Sequence, residues 1–532
     1  MADRWKRQQI GIADAEYANG REHMNRRDFL KLSVLGMTSV FSRRLMASQR
    51  KPDVLFIALD DMNEWVSSLG GYSGKVHTPN FDRLARRGIT FTSAHSPSTV
   101  CNPSRTAIMT GLRPSTTGIY NNGQWWRPAL PDVLTMPECF RKNGYRVEGG
   151  GKIFHHTLGN NPPEIWDNYH PQVQDSSWHY DYPVPGQHTP KKGLHWPEGF
   201  PINGIEDVKL GKKPPANYRE FDWGPVDNPD LEMGDGQMVQ WAIDFLKIPH
   251  DKPFYLAAGI YRPHLPWYVP RKYFDLYPLD KIELPEVKND DLDDIPVVGR
   301  KMAEARNADF ELVKKVGKYK EAVRAYLASI SFADALVGRL LDALDEGPHR
   351  DNTIIIVWSD HGWHLGEKRA WHKRTLWERA THVPFFIVAP RVTQPESVCN
   401  LPVNLIDIYP TLIDLCGLKA NTKLDGISLA PLLENSEAVW ECPSITTYER
   451  GNHAVRSKRW RYIRYNDGTE ELYDHDNDPH EWTNLAGDSR FNIIKKELAK
   501  WLPKNDAPPA LSKRAYHFDP DSYSWSRKEK LR

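Results

Sequence analysis

The chain of 532 residues is long enough for one large domain, or a large and a small one, with an ample core. Lys and Arg number 70 against 69 Asp and Glu, for a net charge of +1, so no global field directs it to nucleic acid or an anionic membrane. Five scattered cysteines exclude a dense disulfide framework and leave room for one pair at most, while 19 Trp and 41 Pro fit a loop-rich surface with aromatic platforms.

Asn25-Arg26-Arg27-Asp28-Phe29-Leu30-Lys31 precedes a short apolar stretch, Leu32 to Phe41, and resembles a twin-arginine export signal. The stretch is far short of the roughly 20 residues that span a bilayer. Leu45-Met46-Ala47 would serve as the cleavage site. Residues 1–47 are therefore expected to be an N-terminal extension and signal peptide, with the export machinery as a partner and the periplasm or the exterior as destination. No other segment is long and apolar enough to be a stable membrane span.

Beyond residue 48, short apolar runs rich in β-branched residues alternate with helical patterns, which predicts an α/β domain to about residue 435 built on a mostly parallel sheet flanked by helices. The first run, Val54–Leu59, ends in Asp60-Asp61; adjacent carboxylates repel unless a cation neutralises them. A helix is predicted over Asn80–Arg87. Next comes Cys101-Asn102-Pro103-Ser104-Arg105, continuing to Thr110-Gly111, a C-x-P-S-R-x-x-x-x-T-G pattern. A helix over Met136–Asn143 and a strand around Arg146–Glu148 lead to Gly149-Gly150-Gly151-Lys152-Ile153-Phe154-His155, where Lys152 and His155 can point at one anion. Residues from about 156 to 250 are rich in Pro, Trp, Tyr, His and Gly, with weak periodicity until Gln237–Phe245, and read as loops walling a cleft.

The strand Phe254–Ala258 runs into Tyr261-Arg262-Pro263-His264-Leu265-Pro266, and the strongest helical period covers Tyr319 to Asp345. Thr353–Trp358 then ends in Ser359-Asp360-His361-Gly362, again an acid and a histidine at a strand end, with Lys373 on the following loop and a further strand over Pro384–Ala389. Ligands of open α/β sheets gather at the carboxyl ends of strands. Three carboxylates, Asp60, Asp61 and Asp360, with His361 make a mostly hard-oxygen set that suits Ca²⁺, or Mg²⁺, better than Zn²⁺. From about residue 436 the pattern changes to short strands, Ser444–Tyr448, Ala454–Arg456, Trp460–Tyr465 and Glu471–Tyr473, closed by a helix over Phe491–Leu502, so residues 436–532 are expected to form a small antiparallel-sheet subdomain.

The ordered set Asp60-Asp61, Cys101 to Gly111, Gly151-Lys152-x-x-His155, Pro263-His264-x-Pro266, Ser359-Asp360-His361-Gly362 and Lys373 resembles the type I sulfatases, and within them iduronate-2-sulfatase and its bacterial relatives. Thr381-His382-Val383-Pro384, Ala328–Gly338, Leu472-Tyr473-Asp474 and Asp478-Pro479-x-Glu481 resemble further family segments, so the likeness covers about residues 52–490. Asp360-His361 stands where many sulfatases carry Asp-Asn.

The resemblance implies an alkaline-phosphatase-like α/β sandwich and an exported sulfatase acting on sulfated saccharides. It implies that a formylglycine-generating maturation enzyme oxidises Cys101 to formylglycine, whose hydrated form attacks the sulfur of a sulfate ester through one hydroxyl. Asp60, Asp61, Asp360, His361 and the modified Cys101 would hold the cation, and Arg105 would stabilise the diol. Lys152, Lys373 and His264 would balance charge on the sulfuryl oxygens, one of them protonating the leaving alcohol, and His155 would deprotonate the second hydroxyl to expel sulfate. Two other functions share these residues: a phosphonate or phosphodiester hydrolase of the same superfamily, and a catalytically silent sulfated-glycan-binding protein. Trp125-Trp126-Arg127, Trp178, Trp196 and Trp267 could stack on sugar faces, and Arg262 could read a second anionic group.

Overall fold

Each face of strand β1 (Asp53–Leu59) is apolar: Leu55, Ile57 and Leu59 point into one core layer, and Val54, Phe56 and Ala58 into the other. A strand covered on both faces by helices must be hydrophobic at every position, which is why it reads as an unbroken run. Full burial of such a side chain stabilises by about 1.5–3 kcal/mol. The computed structural model describes residues 50–170, 202–205, 221–305, 307–420 and 422–528. The export signal expected over 1–47, Trp178 and Trp196 lie outside the described residues.

In chain order the main elements are β1, helix α1 (Pro79–Arg87), β2 (Ile89–Phe91), α2 (Cys101–Thr110), α3 (Met136–Lys142), β3 (Arg146–Gly151), β4 (Asn168–His170), α4 (Gly234–Leu246), β5 (Phe254–Gly259) and α5 (Tyr319–Glu346). They continue with β6 (Thr353–Ser359), β7 (Phe385–Val388), β8 (Ser397–Cys399) and α6 (Ile408–Cys416). Eight strands form one sheet in the order β8-β2-β7-β6-β1-β5-β3-β4. Only β7 runs against the others, antiparallel to both β6 and β2. Helices α1, α4 and α5 pack on one face, while α2, α3 and α6 pack on the other. This is the mostly parallel α/β sandwich expected from the sequence, with one reversed strand that an apolar run cannot disclose.

A glycine contact extends β3 beyond its expected end at Glu148. Gly151 has φ +71°, and a Cβ there would lie 1.9 Å from the Gly259 carbonyl oxygen of β5, so only glycine lets the two strands end side by side. Lys152 N–H then donates to that same carbonyl at 3.0 Å, which fixes where the Lys152 side chain leaves the sheet.

The C-terminal part forms a four-stranded antiparallel sheet, β9 (Ser444–Thr447), β10 (His453–Arg456), β11 (Trp460–Arg464) and β12 (Glu470–Asp474), with α7 (Asn492–Ala499) against it. A hairpin of β13 (Tyr516–Asp519) and β14 (Ser524–Arg527) follows, turning through Pro520-Asp521-Ser522. None of the five cysteines is disulfide-bonded. Among the described residues, no helix is long and apolar enough to cross a membrane.

Candidate active site

Four strands of the sheet end at one place. Asp60 and Asp61 follow β1, Lys152 and His155 follow β3, His264 lies beyond β5, and Asp360 and His361 follow β6. Cys101 arrives from the other direction as the first residue of α2. Its helix carries no side-chain cap, and Ser104 instead donates to the Asp360 carbonyl at 2.6 Å, tying the first turn of α2 to the end of β6.

The sulfur of Cys101 sits 3.3 Å from His361 Nε2 and 3.3 Å from Lys373 Nζ. Lys373 Nζ also donates to Asp61 Oδ1 at 2.5 Å, and Lys152 donates to Asp60 Oδ2. Arg105, one helical turn after Cys101, turns its guanidinium towards the carboxylates: Nε to Asp360 Oδ2 at 2.8 Å and Nη2 to Asp60 Oδ1 at 3.3 Å. The same group donates to the carbonyls of Leu59 and Ile153 at 3.0 and 3.1 Å. Arg105 is thus a positioning residue whose partners are the strand ends and their acids.

Asp61 adopts φ +63°, which turns its side chain back over the sheet end, and its carbonyl accepts from Tyr326 of α5 at 2.7 Å. Charge is concentrated where water is excluded, and the acidities respond. Burial drives the Asp61 carboxyl up to about 7 against the pull of Lys373, and the Asp360 carboxyl to about 6 against that of Arg105. Asp60 goes the other way: burial opposes ionisation, yet Lys152, His264 and Arg105 hold it well below the usual carboxylate range. Burial likewise opposes ionisation of the Cys101 thiol, but Lys373 and Lys152 hold it well below its ordinary value.

One ligand atom each from Asp60, Asp61, Cys101 and His361 falls within a sphere of mutual distances below 4.8 Å. Asp61 Oδ2 is buried and accepts no hydrogen bond among the described residues, lying 3.6 Å from His264 Nε2. An orphaned, buried carboxylate oxygen beside three other ligand-type groups fits a divalent cation, and the oxygen-rich set fits a hard one. A second group of ligand-type side chains, Glu378, His475 and Glu481, is different. Arg461 pairs with both glutamates and Arg456 with Glu378, so that cluster is a neutralised network joining β10 and β11 to the loop before β7.

The histidines border a cavity of about 560 Å³ lined by Cys101, His155, His264 and Lys373 among others. His264 Nδ1 donates to the Leu265 carbonyl at 2.5 Å, which leaves Nε2 to face Asp61. His155 Nδ1 is buried without a hydrogen-bond partner among the described residues. Burial first, then the neighbouring His156 and Lys152, hold His155 well below its ordinary value. Burial and Lys152 do the same for His264.

Four expected substrate contacts are placed elsewhere. Trp126 is 0% exposed, donates to the Asn160 carbonyl at 2.7 Å and stacks on Phe154. Trp125 donates to the Leu158 carbonyl at 3.3 Å and packs against Tyr516, Phe518 and Trp525 of the β13–β14 hairpin. Both brace loops rather than present a ring to a sugar, and Trp267 is equally buried. Arg262, 1% exposed, donates to the Tyr268 and His264 carbonyls at 3.4 and 3.2 Å, so part of the guanidinium is spent on its own loop.

The sequence reading passed over His156, His372, Arg374 and Asp309, all of which line the cavity. The run His372-Lys373-Arg374 beside the noted Lys373 was the available signal. It also missed residues 507–523, which strap the loop after α2. Lys513 N–H donates to the Gly123 carbonyl at 2.7 Å, and Gln124 Nε2 donates to that of Ala510 at 2.7 Å. Gly159 and Asn161 N–H both donate to Tyr523 Oη at 3.1 Å.

A nucleophile-type sulfur among buried acids, lysines and histidines at converging strand ends defines a hydrolase acting on an anionic ester. The comparisons with known proteins agree. The Sulfatase family model matches residues 52–418, and the model described as N-sulphoglucosamine sulphohydrolase, C-terminal, matches residues 366–507. A sulfatase of Formosa agariphila is 41% identical over 493 residues, covering 91% of this chain and 93% of the relative. Iduronate 2-sulfatase of Homo sapiens is 32% identical and covers 69% of each chain. Among solved structures, a protein in complex with its substrate D-glucosamine-2-N,6-O-disulfate superposes with a TM-score of 0.64 at 22% identity, covering 85% of this chain and 97% of that one. The phosphonate monoester hydrolase of Silicibacter pomeroyi reaches a TM-score of 0.66 at 20% identity, covering 91% and 100%. This chain belongs to the type I sulfatase family. It is a sulfuric ester hydrolase.

Proposed function

We propose that the protein is an exported sulfatase that removes sulfate from sulfated saccharides, working through a formylglycine made from Cys101 and a divalent cation, Ca²⁺ before Mg²⁺. The observation that carries this reading is the position of Cys101 Sγ, 3.3 Å from both Lys373 Nζ and His361 Nε2 and lining the cavity. Relatives that include iduronate 2-sulfatase and an ulvan-active sulfatase support a saccharide substrate. The arginine pair before Leu32–Phe41 supports export to the periplasm or beyond by the twin-arginine route.

Asp60, Asp61, Asp360 and His361 would hold the cation, with Arg105 fixing the directions of Asp60 and Asp360 through its two ion pairs. When bound, the cation supplies Lewis-acid polarisation of the sulfate group. Oxidised by a maturation enzyme, position 101 supplies a hydrated aldehyde as nucleophile. Lys152 and Lys373, both kept protonated by the acids beside them although burial opposes it, balance charge on the sulfuryl oxygens. His264 presents Nε2 to the reacting group because its Nδ1–H is held by the Leu265 carbonyl. His155, kept neutral by burial, is suited to accept a proton from the nucleophile's side of the cavity.

The test is steady-state turnover of an aryl sulfate and an aryl phosphonate by enzyme produced with a formylglycine-generating partner, alongside mass spectrometry of the peptide containing Cys101. A preference for the sulfate and an aldehyde at position 101 are expected. A preference for the phosphonate would assign the site to phosphonate hydrolysis. An unmodified thiol with no turnover of either ester would leave a glycan-binding protein.

A further inference from the structure

The loop carrying Lys373 is built in an unusual way. Trp371 and His372 pair with Leu365 and His364 in a two-residue antiparallel ladder. In an extended strand, successive side chains alternate between faces. Here His372 has φ +74° and Arg374 has φ +77°, and His372, Lys373 and Arg374 all line the one cavity that holds Cys101. Non-glycine residues in this left-handed region are uncommon and cluster where a site demands them.

The three consecutive side chains have different fates. Lys373 is engaged by Asp61 and Cys101. His372 Nε2 lies 2.5 Å from Asp309 Oδ2, and Asp309 is the only carboxylate lining this cavity among the described residues. Arg374, half-buried on the same wall, makes no hydrogen bond or ion pair among the described residues. The backbone thus takes positive φ on either side of Lys373, and Arg374 brings to the cavity a guanidinium for which the described residues offer no anion.

We propose that Arg374 forms a second anion subsite, reading a carboxylate or a second sulfate carried by the saccharide beyond the ester that is cleaved. This rests on the sulfated-saccharide reading above and narrows it to substrates bearing at least two anionic groups. A planar guanidinium accepts either group in a bidentate manner, and pairing within a partly enclosed cavity counts for more than it would in open water. Asp309, held by His372 rather than by Arg374, leaves that guanidinium available and adds a negative wall that sets where the second group can sit.

Binding to Cys101→Ala protein with saturating Ca²⁺, measured by calorimetry, tests this without turnover. The three ligands are a 2-O-sulfated uronic acid, a hexose disulfate and a neutral hexose monosulfate. At least one dianion is expected to bind about tenfold or more tightly than the monosulfate, and which one does so separates carboxylate from sulfate. Adding Arg374→Ala should erase that ratio, whereas Arg374→Lys should retain part of it. Equal binding of all three, no binding of any, or an equal loss on all three in Arg374→Ala would overturn the subsite. Sulfate release from an aryl sulfate by the mature enzyme reports on the hydrolytic reading separately. Turnover with no Arg374-dependent ratio removes the subsite alone, and an Arg374-dependent ratio with no turnover removes the hydrolytic reading alone.

Discussion

Lys373 and Asp61 are joined by a 2.5 Å hydrogen bond in a site where Asp61 is fully buried, and the same ammonium reaches the sulfur of Cys101 at 3.3 Å. One ammonium therefore links a candidate metal ligand to the proposed nucleophile position. Lys373→Ala should lower kcat on an aryl sulfate by about 10²–10³-fold, the usual loss for one preorganised donor. A fall in kcat/KM through KM alone would instead assign Lys373 to ground-state binding.

Cation removal should show in stability as well as in activity. Asp60, Asp61 and Asp360 are buried side by side, so a chelator should lower both the Tm and sulfate release, and added Ca²⁺ should restore both. Asp61→Asn should blunt the Ca²⁺-dependent rise in Tm. An identical rise in that variant would move the cation away from this residue.

Arg105 neutralises two buried acids, Asp60 and Asp360, from 0% exposure. Arg105→Met should therefore cost about 3–5 kcal/mol of unfolding free energy in denaturant titrations, since it leaves buried charge uncompensated. A loss within about 0.5 kcal/mol would show that the carboxylates hold themselves in place.

Asp334 on α5 accepts from the backbone N–H of Asn80 and Phe81, at 3.0 and 2.8 Å, in the first turn of α1. Burial raises its carboxyl to about 7, against about 3.9 in an unfolded chain. A carboxyl raised by folding contributes fully below about pH 4 and loses that contribution as pH climbs through about 7. Asp334→Asn keeps an acceptor oxygen and does not titrate there. It should gain stability relative to the parent between about pH 4 and pH 8 in paired melting curves; parallel curves would exclude the titration.

The buried strands were legible because parallel strands covered on both faces cannot carry a polar alternation. Val54–Leu59 and Thr353–Trp358 each proved one residue longer, as Asp53–Leu59 and Thr353–Ser359. Strand direction was not legible, since Phe385–Val388 is as apolar as its parallel neighbours. The site residues were legible where a residue type sits directly after a strand, as with Asp60 and Asp360. They were misread where orientation decides: Arg262 and Trp126 are ordinary choices for an anion and a sugar, but each turns inward to backbone carbonyls. Arg374 was signalled only by its place beside Lys373, and its presence on the cavity wall goes with the positive φ values of His372 and Arg374.

The burial of Cys101 sets an order of events. The sulfur is 1% exposed, and the loop over its helix is itself tied down by Ala510 and Lys513. On the proposed formylglycine reading, a modifying enzyme would have to reach a side chain that the finished fold buries. On that reading, oxidation competes with docking of residues 507–523, and the yield of mature protein depends on two rates. Slowing the late docking step should raise the fraction modified, even though it weakens the folded product.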